Sequence, residues 1–204
     1  FTCCYLCYDP RLKNVARSTA MLLKKANVNF GILGEDESCC GESIRKTGNE
    51  DVFRRLAKEN TKKFIDYGVR RIVVSSPHCY YTFKNEYPSF GAKFEVLHIS
   101  EYLKELMDSQ RLRIKKEYKS KVTYHDPCYL GRHSNIFEKP RDILRSISGL
   151  ELIELPENRL ASLCCGMGGG RIWAETEKNE RFSNIRVEQV ANMGIEELVT
   201  SCPY

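Results

Sequence analysis

Gly68-Val69-Arg70-Arg71-Ile72-Val73-Val74-Ser75-Ser76-Pro77-His78-Cys79 reads as a helix-ending glycine, a short apolar strand and a turn that carries a thiol. Gly194-Ile195-Glu196-Glu197-Leu198-Val199-Thr200-Ser201-Cys202-Pro203-Tyr204 lies over it without a gap. The same strand-and-thiol unit therefore occurs twice, and the chain is expected to form two similar lobes. The overlay sets Cys202 opposite Ser76, and Cys79 opposite the position just past Tyr204. The shared tail is then Cys-x-x-Cys, with its leading cysteine replaced by Ser76 in the first copy. The second copy is expected to be cut off before its last cysteine.

Outward from these tails, the cysteines repeat as well. The first copy runs Cys7, 31 residues, Cys39-Cys40-Gly41, 37 residues, Cys79. The second runs Cys128, 35 residues, Cys164-Cys165-Gly166, 35 residues, Cys202. Adjacent cysteines at matching distances from two further cysteines point to thiolates converging on a metal or cluster, once per half. Paired structural thiols are the alternative reading.

Ten cysteines in 204 residues would suit a disulfide scaffold in a secreted protein. The metal-like spacing, the size of the chain and the lack of a visible signal peptide argue instead for a reducing, cytoplasmic setting. No apolar run approaches the roughly 18 residues needed to span a bilayer. The net charge of +5 is mild and dispersed, and makes no case for nucleic acid. Arg111, Arg113, Lys115, Lys116, Lys119 and Lys121 cluster between the repeats. They read as a solvated, helical linker, or as a docking patch for an acidic partner or membrane surface.

Apolar periodicity predicts a helix near Asn14 to Lys25 and a strand over Val28 to Leu33. It also predicts a long helix capped by Asn49, with Phe53, Leu56, Phe64 and Ile65 buried, running to about Tyr67. Strands follow at Arg71 to Val74 and Phe94 to Leu97, with a short helix after Pro77 and another over Glu101 to Met107. The second half repeats the order, with strands at Lys121 to Tyr124, Leu150 to Leu155 and Leu198 to Thr200. Its helices are expected near Arg141 to Ile147 and Ala174 to Asn192. Alternating strands and helices predict an α/β fold of two pseudo-repeated lobes, residues 1–118 and 119–204, each a mostly parallel sheet flanked by helices. The thiols then collect at the carboxyl ends of the strands.

Leu33-Gly34-Glu35 before the first triplet, Tyr124-His125-Asp126-Pro127-Cys128-Tyr129-Leu130-Gly131-Arg132, and Cys164-Cys165-Gly166-Met167-Gly168-Gly169-Gly170 carry a resemblance. The chain resembles the cysteine-rich CCG-domain family over nearly its whole length. That family includes heterodisulfide reductase catalytic subunits and iron–sulfur subunits of glycolate, lactate and succinate oxidising systems. The resemblance implies cluster ligands at Cys128, Cys164, Cys165 and Cys202, with a fifth beyond Tyr204. It implies a first set of Cys7, Cys39, Cys40 and Cys79, with Ser76 where a cysteine is usual. A 4Fe-4S cluster is expected in the second half, and zinc or a second 4Fe-4S cluster in the first. Cys3 and Cys4 are left over, with Cys4 either spare or an extra first-half ligand.

Within that frame, Gly41 and Gly166 give room behind vicinal thiolates, and Gly168 to Gly170 let backbone N–H groups approach cluster sulfur. A phosphate loop is the competitor, but the Walker lysine is lacking. His125 and Asp126 either orient the centre and handle a proton or simply fix the turn. His78 is a candidate substitute for the thiol missing at Ser76, and His98 reads as structural. Trp173, Tyr129 and Phe137 read as core or interface.

The function implied is an iron–sulfur oxidoreductase subunit of heterodisulfide reductase type, reducing a disulfide or relaying electrons. The alternatives are an electron-transfer subunit of a flavin-dependent glycolate, lactate or succinate oxidising complex, or a zinc-stabilised docking scaffold. Expected partners are a flavoprotein, a ferredoxin-like subunit, or a membrane cytochrome or quinone subunit, with the chain peripheral at the inner face of the membrane.

Overall fold

Residues 1–204 are described by a computed structural model. The first half contains α1 (Cys4–Tyr8), α2 (Lys13–Lys25), α3 (Glu42–Lys46) and α4 (Glu50–Asp66), which leads into β1 (Arg71–Val74). α5 (Pro77–Tyr81), prolonged by a π turn over Thr82–Glu86, crosses to β2 (Glu95–His98), and α6 (Ile99–Asp108) follows. The second half holds β3 (Ser120–His125), α7 (Glu138–Arg145), β4 (Leu150–Leu152), α8 (Phe182–Asn192) and β5 (Glu197–Thr200). β1 pairs in parallel with β2. β4, β3 and β5 form a second parallel sheet in that order. The α/β class and the two helix-flanked parallel sheets match the sequence expectation.

α4 begins where Asn49 accepts a hydrogen bond from the Val52 N–H, relieving one of the orphan donors of the first turn. Its buried stripe is Phe53, Ala57, Asn60, Thr61 and Phe64. Ile65, expected inside, is 58% exposed, because it lies one residue round from Phe64 on the solvent side. In the second half β3 is buried on both faces from Val122 to His125, as the central strand of a parallel sheet must be.

Three expected elements differ. Val28 to Leu33 does not form a paired strand. It borders a groove of about 720 Å³ that separates it from β1 and is lined by Leu23, Phe30, Leu33, Phe64 and Ile72. A strand needs a neighbour to take its backbone hydrogen bonds. In the second half β3 stands between β4 and β5, the strands that lead to the matching thiols. The helix expected from Ala174 is confined to Phe182–Asn192, with a short 3₁₀ turn at Lys178–Glu180 before it. The basic stretch from Arg111 to Lys119 is not helical. Arg111 ties it to the first half by donating to Ala26 O and Asn27 O at 3.0 and 2.9 Å.

The cores are unequal. The first half packs Phe53, Phe64, Phe83 and Tyr87 around the thiols of Cys3, Cys40 and Cys79. The second half buries a small cluster of Leu155, Val190 and Ile195. That difference decides how tightly each set of thiols is held.

Candidate metal centres

The first Cys-Cys-Gly triplet lies on a loop held from beneath by buried polar groups. Asn60 on α4 donates to Cys39 O at 2.9 Å and to Tyr87 Oη at 3.0 Å, and Tyr87 Oη donates to Cys40 O at 3.0 Å. Gly41, at φ +83°, reverses the chain, and its N–H donates to Cys39 Sγ at 3.3 Å. A Cβ there would stand 2.9 Å from the Phe53 ring, so glycine is needed for both turn and space.

Five thiols meet at this loop. Cys3 contacts Cys4 and Cys79, Cys4 contacts Cys39, and Cys40 contacts both Cys39 and Cys79. The contacts run round a ring, and no three donors converge as a finished cage for a single ion. Hydrogen bonds from Cys4 push the Cys3 and Cys39 thiols toward the thiolate, while Cys4, Cys40 and Cys79 are pushed up by their anionic neighbours and by burial.

Cys7 lies outside this group. It is exposed, and burial followed by the negative charges of Glu37 and Cys3 raises its pKa. Cys3 and Cys4 make the contacts with Cys79 and Cys39 expected of it. The spacing held the clue. Residues 5–38 put 34 positions between Cys4 and Cys39, closer to the 35 between Cys128 and Cys164 than the 31 that follow Cys7.

Glu42, directly after Gly41, is 1% exposed, and its Oε1 lies 3.1 Å from His78 Nδ1. Burial works against its ionised form, but His78 and Tyr129 hold its pKa below the usual carboxylate value. His78 stacks on Tyr204 at 4.0 Å and 12°, and tilts against Tyr129 at 4.2 Å. The imidazole therefore faces a carboxylate and joins the halves. Sequence reasoning passes over Glu42, Asn60 and Tyr87, because buried polar partners carry no periodic signal.

The second set, Cys128, Cys164, Cys165 and Cys202, is looser. Cys128 and Cys165 are pushed up by burial and by the other thiols' charge, and burial raises Cys202. Cys164 is exposed. Gly166 repeats the Gly41 geometry, with φ +83° and its N–H donating to Cys164 Sγ at 3.3 Å. The N–H groups of Met167 and Gly168 face Cys165, and that of Tyr204 faces Cys202. Such amides stabilise thiolate charge. An added Cβ would lie 3.7 Å from His78 at Gly168 and would meet Thr47 at 2.4 Å at Gly170. The glycine run therefore packs on the first-half triplet loop.

The turn before Cys128 is braced by an ion pair. Arg141, fully buried, holds Asp126 through two bonds of 2.6 and 2.8 Å and also grips Glu154. Asp126 Oδ2 accepts a further bond from the Arg159 N–H at 2.7 Å. A carboxylate committed in this way positions the turn. His125 is buried, its Nδ1 lacks a hydrogen-bond partner, and burial lowers its pKa to about 4. Trp173, expected in the core or at an interface, is 68% exposed and packs on Tyr5 of the other half beside Cys4.

Both triplets thus stand in one geometry, each at the carboxyl end of a parallel sheet. Residues 1–84 and 122–204 match the cysteine-rich domain family known as CCG. The chain belongs to the CCG cysteine-rich domain family. The unmatched stretch between these two regions takes in β2, α6 and the basic connection. This CCG chain is 39% identical over 208 residues to the EtfAB:quinone oxidoreductase of Syntrophomonas wolfei, covering 98% of the chain and 29% of that protein. It is 41% identical over 197 residues to the probable iron-sulfur-binding oxidoreductase FadF of Bacillus subtilis, covering 97% and 28% respectively. It is also 31% identical over 196 residues to a component of the dihydromethanophenazine:CoB–CoM heterodisulfide reductase of Methanosarcina barkeri, covering 93% and 48%. The CCG chain therefore spans under a third of the first two relatives and about half of the third.

Proposed function

We propose that this chain is an iron–sulfur redox module of a larger oxidoreductase, relaying electrons between a flavoprotein donor and a quinone-type acceptor. The observation that carries this reading is the pair of all-thiol sets in matching geometry, with backbone N–H groups aimed at their sulfurs. Soft thiolates with amide donors suit iron–sulfur centres, and oxygen-loving ions are poorly served by them. Cys128, Cys164, Cys165 and Cys202 would hold a 4Fe-4S cluster, and the first-half ring a second cluster or zinc. A cluster so bound supplies one-electron transfer, which matches a two-electron donor to acceptors filled one electron at a time.

The chain's own residues do the positioning. Asp126 and Arg141 set the Cys128 turn, Gly41 and Gly166 aim their amides at sulfur, and the aromatic core keeps water from the first set. The names of two relatives, a quinone oxidoreductase and an iron–sulfur-binding oxidoreductase, support the relay. A flavoprotein, a ferredoxin-like segment and a membrane cytochrome or quinone subunit are the partners this reading requires. No helix is long and apolar enough to cross a membrane, so in this reading any membrane contact of the chain itself is peripheral.

Exposed Cys164 favours one further reading, disulfide reduction at the second set. There RSSR′ with two electrons and two protons from a partner would give RSH and R′SH. Iron, zinc and acid-labile sulfide counted per chain on anaerobically purified protein test the module. Iron near four or eight with matching sulfide supports it, whereas colourless protein holding only zinc supports a docking scaffold and overturns it. Mixing the reduced protein with a quinone analogue and, separately, with a disulfide then separates the two readings.

A further inference from the structure

Cys3 has no counterpart in the internal repeat, and its setting is unusual. It is wholly buried, yet its backbone stands at φ +78°, a conformation that favours glycine. Something must hold it there. The Glu37 carboxylate accepts from the Cys3 N–H at 3.0 Å and from the Thr2 N–H at 2.9 Å, pinning the segment from one side. On the other side the Cys3 thiol lies against Cys4, Cys79 and Ser76, and the Tyr5 N–H faces its sulfur. Strain of this kind persists where surrounding contacts over-determine it, and it collects at functional sites.

Ser76 is the position where the internal repeat calls for a thiol. It stands two residues past the end of β1, as Cys202 stands two past the end of β5. Its hydroxyl is buried, with the Cys3 sulfur as its neighbour and no well-aligned hydrogen bond. The sulfur missing at Ser76 is thus replaced in space by a sulfur that arrives from residue 3.

We propose that Cys3 is a thiolate ligand of the first-half centre, taking the place of the cysteine replaced by Ser76. The ring of Cys3, Cys4, Cys39, Cys40 and Cys79 then numbers five. That exceeds the four positions of a single tetrahedral zinc, and it suits a multi-iron centre in which the vicinal thiolates serve neighbouring irons. The proposal rests on the reading of the chain as an iron–sulfur module.

Four forms of the full chain, purified without oxygen, test it: wild type, Cys79→Ala, Cys3→Gly, and Cys3→Gly combined with Ser76→Cys. Each is assayed for iron, sulfide and zinc and by Mössbauer spectroscopy. Glycine removes the thiol while relieving the strained φ, so Cys3→Gly should fold at least as stably as wild type, and thermal unfolding checks this. The expected result is that Cys79→Ala and Cys3→Gly each lose about half the iron and the same Mössbauer component, and that the Ser76→Cys double variant regains both. If Cys79→Ala loses the component while Cys3→Gly keeps it, Cys3 is no ligand and the module reading survives. If Cys79→Ala loses zinc and no iron, the five-thiol assignment is overturned. If Cys79→Ala changes neither metal, the first half holds no centre, and this inference falls with that part of the reading.

Discussion

Ser75 and Ser201 present their backbones to the same buried imidazole, that of His98. Each lies one residue past its strand, β1 and β5, so His98 sits where the two repeats meet. Nδ1 of His98 accepts from the Ser100 N–H at 3.2 Å and caps α6, and Nε2 faces the two serine backbones without a well-aligned bond. Burial lowers the His98 pKa from 6.5 to about 4.

His98 is therefore neutral when folded and protonates more readily when unfolded. Its contribution to stability is complete above the unfolded pKa of 6.5 and is lost as pH falls from there toward 4, by up to about 3 kcal/mol. Urea unfolding between pH 8 and pH 5 should show about 2 kcal/mol of that loss, and His98→Gln should shrink it. An unchanged slope in the variant would count against it.

Arg141→Leu leaves Asp126 charged and buried without its main partner. The expected destabilisation is about 3–5 kcal/mol, the usual cost of breaking a buried pair from one side. Pairing the change with Asp126→Asn should restore part of that loss, as read by denaturant midpoint and m-value.

Gly41→Ala and Gly166→Ala place a side chain at the same φ of +83° but in different surroundings. At Gly41 the new Cβ meets buried Phe53 at 2.9 Å, and at Gly166 it meets the exposed Phe182 at 3.3 Å. Losses of about 2–3 kcal/mol and about 1 kcal/mol respectively are expected from differential unfolding. Equal losses would show that backbone strain alone sets the cost.

Cys7 and Cys164 are the exposed thiols. Mass-spectrometric alkylation should label Cys7 with metal present or removed, and Cys164 fully only after chelation. Cys7→Ser should leave the metal count unchanged, whereas Cys4→Ser should lower it. Labelling of buried Cys40 before Cys7 would contradict the packing described.

Much of the site is legible in the sequence because it repeats. The strand over Arg71 to Val74, the Asn49 cap and the paired triplets each carry a local pattern in one stretch of chain. Val28 to Leu33 misleads for the converse reason: its composition suits a strand, but pairing depends on a neighbour, which no local stretch reveals. Ile65 falls on the wrong side because the edge of a helical stripe is uncertain by one position until the helix has something to pack against.

The amino-acid sequence by itself determined the twofold thiol repeat, the α/β alternation and the CCG family, since spacing and periodicity are properties of the chain. Only the tertiary structure decided that Cys3 and Cys4 lie against the first-half thiols while Cys7 is exposed. It also decided that Asp126 is consumed by Arg141, and that Glu42 meets His78. Those outcomes depend on where a helix turns its side chains and on which buried charges find partners. Contacts across dozens of residues settle both, and no short motif encodes them.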